Sequence, residues 1–405
     1  MLSGLILADD LTGACDTGAV FARRGLNTVV RLDPAAPVPA DGVVVISTDS
    51  RYLPEVQAAE VVRQVLRGLA VGGAVLVYKK IDSTLRGNAG AELRAVMAAL
   101  GHPRALVCPA FPGQGRVVRA GRVWVNGVPL EDTAFAREAP GGEVARALGL
   151  LSDCRLLALE QVRAGEEALT ALLSQGGGVV VADAETDADL AALARAGRRA
   201  GVALWCGSAG LARALAAGFK SADAPQAGKF PQGPALVVAG SRSMETLEQV
   251  AALEACGAVV LSLTGVLPGD SELIARAAAD GLRAGQTVVI CARGLPHLPG
   301  SAAQVAGALA WAASAALRAV ERLPALLILT GGETAAAVCR RLECTHIRLV
   351  DEVEAGLALG VMRDGRAAGL WVITKAGGFG RRDTLTRIIL PESSGRLRAD
   401  PGREP

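Results

Sequence analysis

The sequence predicts an α/β protein of two domains, each a mostly parallel sheet flanked by helices, with a hairpin insertion in the first. Three observations carry this. Short apolar runs alternate with stretches of helical period along the chain, the rhythm of parallel strands joined by crossover helices. Acidic, hydroxyl-bearing or glycine-rich turns fall directly after several of those runs. One stretch without periodicity, rich in Pro and Gly, interrupts the rhythm at residues 221–234. The expected layout is a first domain over residues 1–220, a linker over 221–234, a second domain over 235–392 and a polar, fraying tail over 393–405.

In the first domain, strands are expected at Leu2–Leu7, Thr28–Arg31, Val43–Ser47, Ala74–Tyr78, Ala105–Cys108, Val179–Ala182 and Val202–Trp205. Helices lie between them, Pro54–Gly68 and Ala89–Leu100 being the clearest. Residues 113–139 break the pattern. Asn126-Gly127 between apolar neighbours is a hairpin signal, because a tight two-residue turn needs φ > 0 at both positions. An antiparallel ribbon is expected there, and it either covers a ligand or forms a subunit contact; a homodimer stays open. The second domain restarts with strand Ala235–Val238, helix Thr246–Glu254, strand Val259–Ser262, helix Ser271–Ala284, strand Thr287–Cys291 and helix Ser301–Val320. Strand Leu326–Leu329, helix Thr334–Leu342 and strands Ile347–Val350 and Leu370–Ile373 finish it.

The 405 residues suffice for two cores, and with 51 % apolar but only 3 % aromatic residues these must be built from Ala, Val and Leu. A net charge of +2 without a basic block argues against nucleic acid or a membrane surface as a partner. No uncharged apolar stretch reaches about 18 residues, so no transmembrane helix is expected. The chain opens on a strand and two aspartates, which is not a signal peptide. Eight scattered cysteines without a Cys-x-x-Cys pair speak against disulfide frameworks and zinc sites, and a cytoplasmic location is expected. With three histidines, serine-hydrolase chemistry is disfavoured.

Chemistry concentrates at the strand ends. The first strand runs into Asp9-Asp10-Leu11-Thr12-Gly13, and the fourth into Lys79-Lys80-Ile81-Asp82-Ser83-Thr84-Leu85-Arg86-Gly87. Open α/β sheets bind ligands at such carboxyl ends. Mixed charge beside hydroxyls suits a small, hydroxylated, anionic ligand; the alternative for Asp9 and Asp10 is helix N-terminal charge placement. In the second half, Gly240-Ser241-Arg242-Ser243, Thr330-Gly331-Gly332-Glu333-Thr334 and Lys375-Ala376-Gly377-Gly378-Phe379-Gly380 follow strands. Glycine turns at strand ends let backbone N–H groups approach an anion, so a polyphosphate site is expected. Neither the Walker pattern nor the dinucleotide fingerprint is present. Ser243 suits a helix N-cap, a phosphate contact, or both. Three of only five lysines, Lys79, Lys80 and Lys375, fall in these loops of an arginine-rich chain, which hints at a geometric task.

Taken in order, these blocks resemble the four-carbon acid sugar kinase family. The likeness adds Thr48-Asp49-Ser50-Arg51, Pro109-Ala110-Phe111-Pro112 with Gly115-Arg116, and Gly207-Ser208-Ala209-Gly210-Leu211-Ala212, and it spans nearly the whole chain. Three positions depart from the family pattern. Glu131 stands where histidine is usual, Cys15 precedes Asp16 where asparagine is common, and Glu354-Ala355-Gly356-Leu357 replaces Pro-Gly-Val-Pro.

The resemblance implies ATP-dependent phosphorylation of threonate, erythronate or a 3-oxo-tetronate to the 4-phosphate. It also implies a sugar-acid domain and a nucleotide domain facing each other across a cleft. Arg51, Lys80 and Arg86 are then expected on the substrate carboxylate, with Thr12 and Ser83 on its hydroxyls. Asp82, then Asp10, then Asp9 are the candidates for the acid that accepts the hydroxyl proton, with another acid helping to place Mg²⁺, whose ligands stay unassigned. Ser241, Ser243, Gly331, Gly332, Glu333, Thr334, Gly377 and Gly378 are expected to hold the nucleotide, with Lys375 near its phosphates. Two other classes remain: a non-catalytic two-lobed sugar-acid-binding protein, and an NAD-dependent oxidoreductase. The latter is disfavoured because Asp9-Asp10 occupy the place of its glycine fingerprint.

Overall fold

The computed structural model describes residues 2–33, 36, 41–69, 76–150, 154–219, 231–295 and 301–390. Residues 221–230 of the expected linker and the whole expected tail, 393–405, lie outside the described residues, as do Ala74, Lys220, Lys229 and His297. The chain divides into two compact units, Met1–Pro225 and Gln226–Pro405.

The first unit holds strands β1 Leu2–Ala8, β2 Thr28–Arg31, β3 Gly42–Ser47, β4 Val77–Lys80, β5 Arg104–Cys108, β6 Arg116–Arg119, β7 Arg122–Val125, β8 Val128–Pro129, β9 Cys154–Leu157, β10 Gly178–Ala182 and β11 Leu204–Gly207. Eight of these form a parallel sheet in the order β2-β3-β1-β4-β11-β5-β10-β9. Its helices are α1 Leu11–Ala22, α2 Glu55–Arg67, α3 Ala89–Leu100, α4 Val144–Ala147, α5 Leu159–Val162, α6 Glu166–Ser174, α7 Asp187–Arg199 and α8 Ala209–Ala216. Helix α1 is buried along its whole length, packed on β1–β3 and α8, while α2 and α3 pack on each other.

Strands β6, β7 and β8 make the antiparallel ribbon read from Asn126-Gly127, whose φ angles are 51° and 81°. A second turn of the same kind, Ala120-Gly121 (φ 50° and 70°), joins β6 to β7. Asp183 holds it by accepting from the N–H groups of both turn residues at 2.8 Å.

The second unit holds β12 Ala235–Ala239, β13 Val259–Ser262, β14 Val288–Cys291, β15 Leu326–Thr330, β16 His346–Glu354, β17 Leu357–Met362 and β18 Trp371–Lys375. They follow the order β13-β14-β12-β15-β18-β17-β16, parallel except for β17, which runs against both neighbours. Helices α9 Met244–Ala255, α10 Pro268–Arg283, α11 Ala302–Ala319, α12 Gly332–Arg341 and α13 Thr384–Ile389 complete it. Alternation decides the two faces. Ala235, Val237 and Ala239 of β12 join a core with Val250 and Leu253 of α9 and Leu385, Ile388 and Ile389 of α13. Helix α11 packs on α10, on α12 and on β12 and β14.

The fourth strand is displaced from its expected position. It ends at Lys80, so Lys79 and Lys80 belong to the strand and pair with Leu7 and Ala8 of β1 and with Cys206 and Gly207 of β11. Lys375 likewise closes β18, paired with Thr330. Charge made these residues read as loop, but each ammonium is compensated inside the fold by a carboxylate or by carbonyls. Strands β9 and β17 and helix α13 were not expected. Strand β17 follows an unexpected turn: Gly356, at φ 77°, closes a tight hairpin between β16 and β17.

Candidate active site

Three neighbouring strands of the first unit, β3, β1 and β4, deliver their following loops to one place. Asp10 caps α1: its backbone is extended, and its Oδ1 accepts from Gly13 N at 3.0 Å while Oδ2 accepts from Thr12 Oγ1 at 2.7 Å. Arg51 grips Asp9 through Nε at 2.8 Å and Nη2 at 2.9 Å, and Asp10 through Nη1 at 3.0 Å and Nη2 at 2.8 Å. Asp82 stands 3.7 Å from the same guanidinium. Arg86 donates to Asp82 Oδ2 at 2.7 Å, and Thr84 N donates to Asp82 Oδ1 at 2.7 Å. Burial opposes ionisation of Asp9, but Arg51, with Lys79 and Lys80 behind it, outweighs burial and holds the carboxyl below its ordinary range. Burial is likewise overcome at Asp82 by Arg86 and Arg51, so that carboxyl lies well below the usual range.

The cations divide by role. Arg51 is committed to aspartates on nearly every donor. Lys80 is not: it is 6 % exposed and its Nζ donates to the Ile81 carbonyl at 2.9 Å, with no carboxylate within ion-pair distance among the described residues. An ammonium has three donors. Two are left for a ligand beside Gly13, in the first turn of α1. Arg86 sits 5.9 Å over the Phe135 ring and 3.5 Å from Glu138, so the segment after the ribbon lies against the site rather than apart from it. The Ser83 hydroxyl is half-buried and makes no hydrogen bond among the described residues. Glu131, the departure from the family pattern, pairs with Arg122 of the ribbon.

Adjacent residues of a strand point to opposite faces. Lys79 therefore turns away from Lys80 and meets Glu92 of α3 at 2.6 Å, both wholly buried. Glu92 also accepts from Ser50 Oγ at 2.5 Å, and Ser50 meets Thr48 Oγ1 at 2.7 Å. Asn88 Nδ2 donates to the carbonyls of Ser50 and Leu53 at 3.2 and 2.8 Å. This buried set fixes the turn that carries Arg51. Sequence reasoning missed Glu92; its only signal was a carboxylate set in an otherwise apolar helix start, Ala89-Gly90-Ala91.

In the second unit the three glycine turns leave adjacent parallel strands, since Ala239 pairs with Thr330 and Thr330 with Lys375. Gly331, at φ 87°, turns the chain into α12 and donates its N–H to Lys375 O at 3.0 Å. Gly332, Glu333 and Thr334 form the first turn of α12, whose N–H groups have no intrahelical acceptor. Ser243 caps α9 by accepting from Thr246 N at 3.3 Å, and its hydroxyl also donates to Gly377 O at 2.7 Å. Ser241 N lies 3.4 Å from Thr330 Oγ1, and Ser241 Oγ accepts from Ser243 N at 3.3 Å. A side chain at Gly377 would meet Ser241 Oγ at 2.1 Å, whereas one at Gly378 would only touch the Glu245 carboxylate at 3.8 Å.

Lys375 is wholly buried beneath these turns. Its Nζ donates to Gly377 O at 2.7 Å, Thr246 Oγ1 at 3.1 Å and Ala376 O at 3.2 Å. In a trans peptide the N–H points opposite to the C=O. Drawing in the carbonyls of Ala376 and Gly377 therefore aims the N–H groups of Gly377 and Gly378 outward, and these have no partner among the described residues. The lysine thus organises the backbone that carries these amides and is itself turned away from solvent. Burial pulls its pKa down to about 8, with Glu245 opposing.

Among the described residues no group of three or more His, Cys, Asp or Glu is arranged to hold a metal ion. Asp9 and Asp10 face the Arg51 guanidinium, which stands where a cation would be coordinated. The residues present therefore do not build a protein-held Mg²⁺ cage. No helix among the described residues is long and apolar enough to cross a membrane.

An anion cradle in one unit and an acid–ammonium cluster in the other describe a protein that brings a phosphorylated compound and a small hydroxylated acid to one chain. Residues 4–215 match the model of a sugar-binding N-terminal domain, and residues 236–385 that of a nucleotide-binding C-terminal domain. The chain is 37 % identical to a D-threonate kinase of Bordetella bronchiseptica, over 94 % of this chain and 95 % of that one. It is 34 % identical to a 3-oxo-tetronate kinase of Methylobacterium radiotolerans, over 95 % and 97 %. A crystal structure from Salmonella typhimurium LT2 matches with a TM-score of 0.79 at 25 % identity, covering 96 % of this chain and 99 % of that one. The chain belongs to the four-carbon acid sugar kinase family, and is thus an enzyme of the phosphotransferase class.

Proposed function

We infer that this protein uses ATP to phosphorylate the terminal hydroxyl of a four-carbon sugar acid, with D-threonate the first acid to test because relatives at 37 % and 38 % identity are D-threonate kinases. The observation that carries this reading is the pairing, in one chain, of outward-facing amides at Gly377 and Gly378 with a buried ammonium at Lys80 that has one of its three donors engaged. Lys80 and Arg86 take the substrate carboxylate, and Thr12 and Ser83 its hydroxyls. Arg51 acts by fixing Asp9 and Asp10, since its donors are already engaged.

Asp82 is the acid that accepts the hydroxyl proton. Its depressed pKa keeps it ionised, and a loose phosphoryl-transfer transition state asks little basicity of it. Asp10 is the second candidate: its oxygens are held by the α1 cap and Arg51, as those of Asp82 are by Thr84 and Arg86. The turns at Gly331–Thr334, Ser241–Ser243 and Gly377–Gly378 hold the phosphates, with amides and helix N-termini supplying positive field. Mg²⁺, if it takes part, would be held by the nucleotide phosphates rather than by these carboxylates, and would supply charge neutralisation there.

A coupled ADP-release assay against threonate, erythronate and 3-oxo-tetronate tests the reading, with Asp82→Asn as the control. One acid should turn over, and the variant should lose roughly 10²–10⁴-fold in kcat while still binding ATP. No ADP release with any four-carbon acid would reject the activity; near-normal turnover in the variant would remove Asp82 from it.

A further inference from the structure

We propose that the cavity beyond the carboxyl ends of β12 and β14 receives the nucleobase, so that the triphosphate runs from there across β12 to the glycine turns. This rests on the nucleotide reading of the second unit and adds the place and chemistry of base recognition. The cavity measures about 130 Å³. Leu247 and Val250 of α9, Cys291 at the end of β14 and Ala292 after it give it apolar walls, and Arg242 and Arg293 also line it, their guanidiniums tied to the Leu295 carbonyl and to Glu254. A flat heteroaromatic ring suits such a space: apolar walls accept its faces, and guanidinium planes stack on π systems. Its volume has room for a single ring system rather than a whole nucleotide.

Position supports the assignment as strongly as lining does. The cavity wall includes Gly240 and Ser241, the first of the three glycine turns, so base and phosphate subsites are continuous. Strands lie about 4.8 Å apart, so β14 to β18 spans three spacings, roughly 14 Å. An extended nucleoside triphosphate covers that length, with its terminal phosphate at the Gly377–Gly378 turn. The helices after β12 and β14 also leave toward opposite faces of the sheet, α9 packing with α13 and α11 with α12, which opens a crevice at this point.

A larger groove of about 340 Å³ between α11 and α12 is the competing location, and its direction excludes it. It runs from Glu333 down the helices to Arg340 and Arg341 at the end of α12, away from the turns, over the small residues Ala303 and Gly307.

Calorimetric titration with ATP and with inorganic tripolyphosphate separates base from phosphate binding. Leu247→Trp places a ring in the cavity from a half-buried wall position, and Ala292→Leu fills it more modestly. Wild type should bind ATP more tightly than tripolyphosphate. Each variant that folds as wild type by circular dichroism should lose about tenfold or more in ATP affinity while holding tripolyphosphate within about twofold. ATP affinity unchanged in a folded variant overturns the base subsite but leaves the nucleotide reading standing. Equal wild-type affinity for the two ligands does the same. If wild type binds neither, both readings fall.

Discussion

On the proposed reading, Lys375 couples pH to phosphate binding at the Gly377 and Gly378 amides. Burial lowers its pKa from 10.5 to about 8. The sign follows from proton counting. Between about pH 8 and 10.5 the unfolded chain binds a proton that the folded chain has released, so stability rises with pH across that window. Below about pH 8 both states hold the proton, and the buried charge costs the fold on the order of 3 kcal/mol. Phosphate held at the neighbouring amides raises the lysine pKa again. ATP binding at pH 8.5 should therefore take up protons, read by calorimetry in buffers of different ionisation enthalpy, and Lys375→Met should abolish the uptake. Identical uptake in the variant would mean that the lysine does not sense the phosphates.

At the scale of elements, the pair β4–α3 sets the geometry of the first site. Lys79 and Glu92 bury opposite charges 2.6 Å apart, and Ser50 hangs from the same carboxylate. Removing one partner leaves an unpaired buried charge, which costs about 3–5 kcal/mol, whereas replacing both with apolar residues is often tolerated. Glu92→Leu alone should thus lower stability in urea far more than the double variant Lys79→Met/Glu92→Leu. The double variant should still raise KM for the sugar acid with a smaller effect on kcat, because the Arg51 turn has lost its anchor at Ser50. A wild-type KM in the double variant would reduce the pair to a purely structural role.

The same elements show what a single sequence can and cannot convey. Strand periodicity, the Asn126-Gly127 turn and the glycine turns after β12, β15 and β18 are local signals, and they place most of the sheet and both sets of loops. The lysines misled because charge is a local cue for exposure, while Lys79 and Lys375 are buried by partners that are distant in sequence: Glu92 in one case, Thr246 in the other. Helix α1 was expected only from the alternation of strands and from Asp9 and Asp10 as charges at a helix N-terminus, not from its own pattern. Its glycines and Asp16 carry no amphipathic stripe, because the helix is buried all round. Arg51 looked like a substrate ligand until its donors could be counted against Asp9 and Asp10.

Across the whole molecule, the proposed function has the two sets of loops answer to different ligands, and that division can be tested without assuming any arrangement of the units. A ligand that binds only the folded form protects the amides it touches by its linkage free energy, about 2.7 kcal/mol at a hundredfold excess over Kd, or about a hundredfold in exchange rate. ATP should slow hydrogen exchange at residues 240–246, 330–335 and 375–380, where open amides and helix N-termini meet the phosphates. The sugar acid should slow it at residues 9–13, 48–51 and 80–88, where Lys80 and the Arg51 cluster lie. The second footprint should reach residues 133–138 as well, because Phe135 and Glu138 rest against Arg86. If both ligands protected one and the same set of segments, the assignment of sugar acid to the first unit and nucleotide to the second would be wrong, however well each loop suits its ligand.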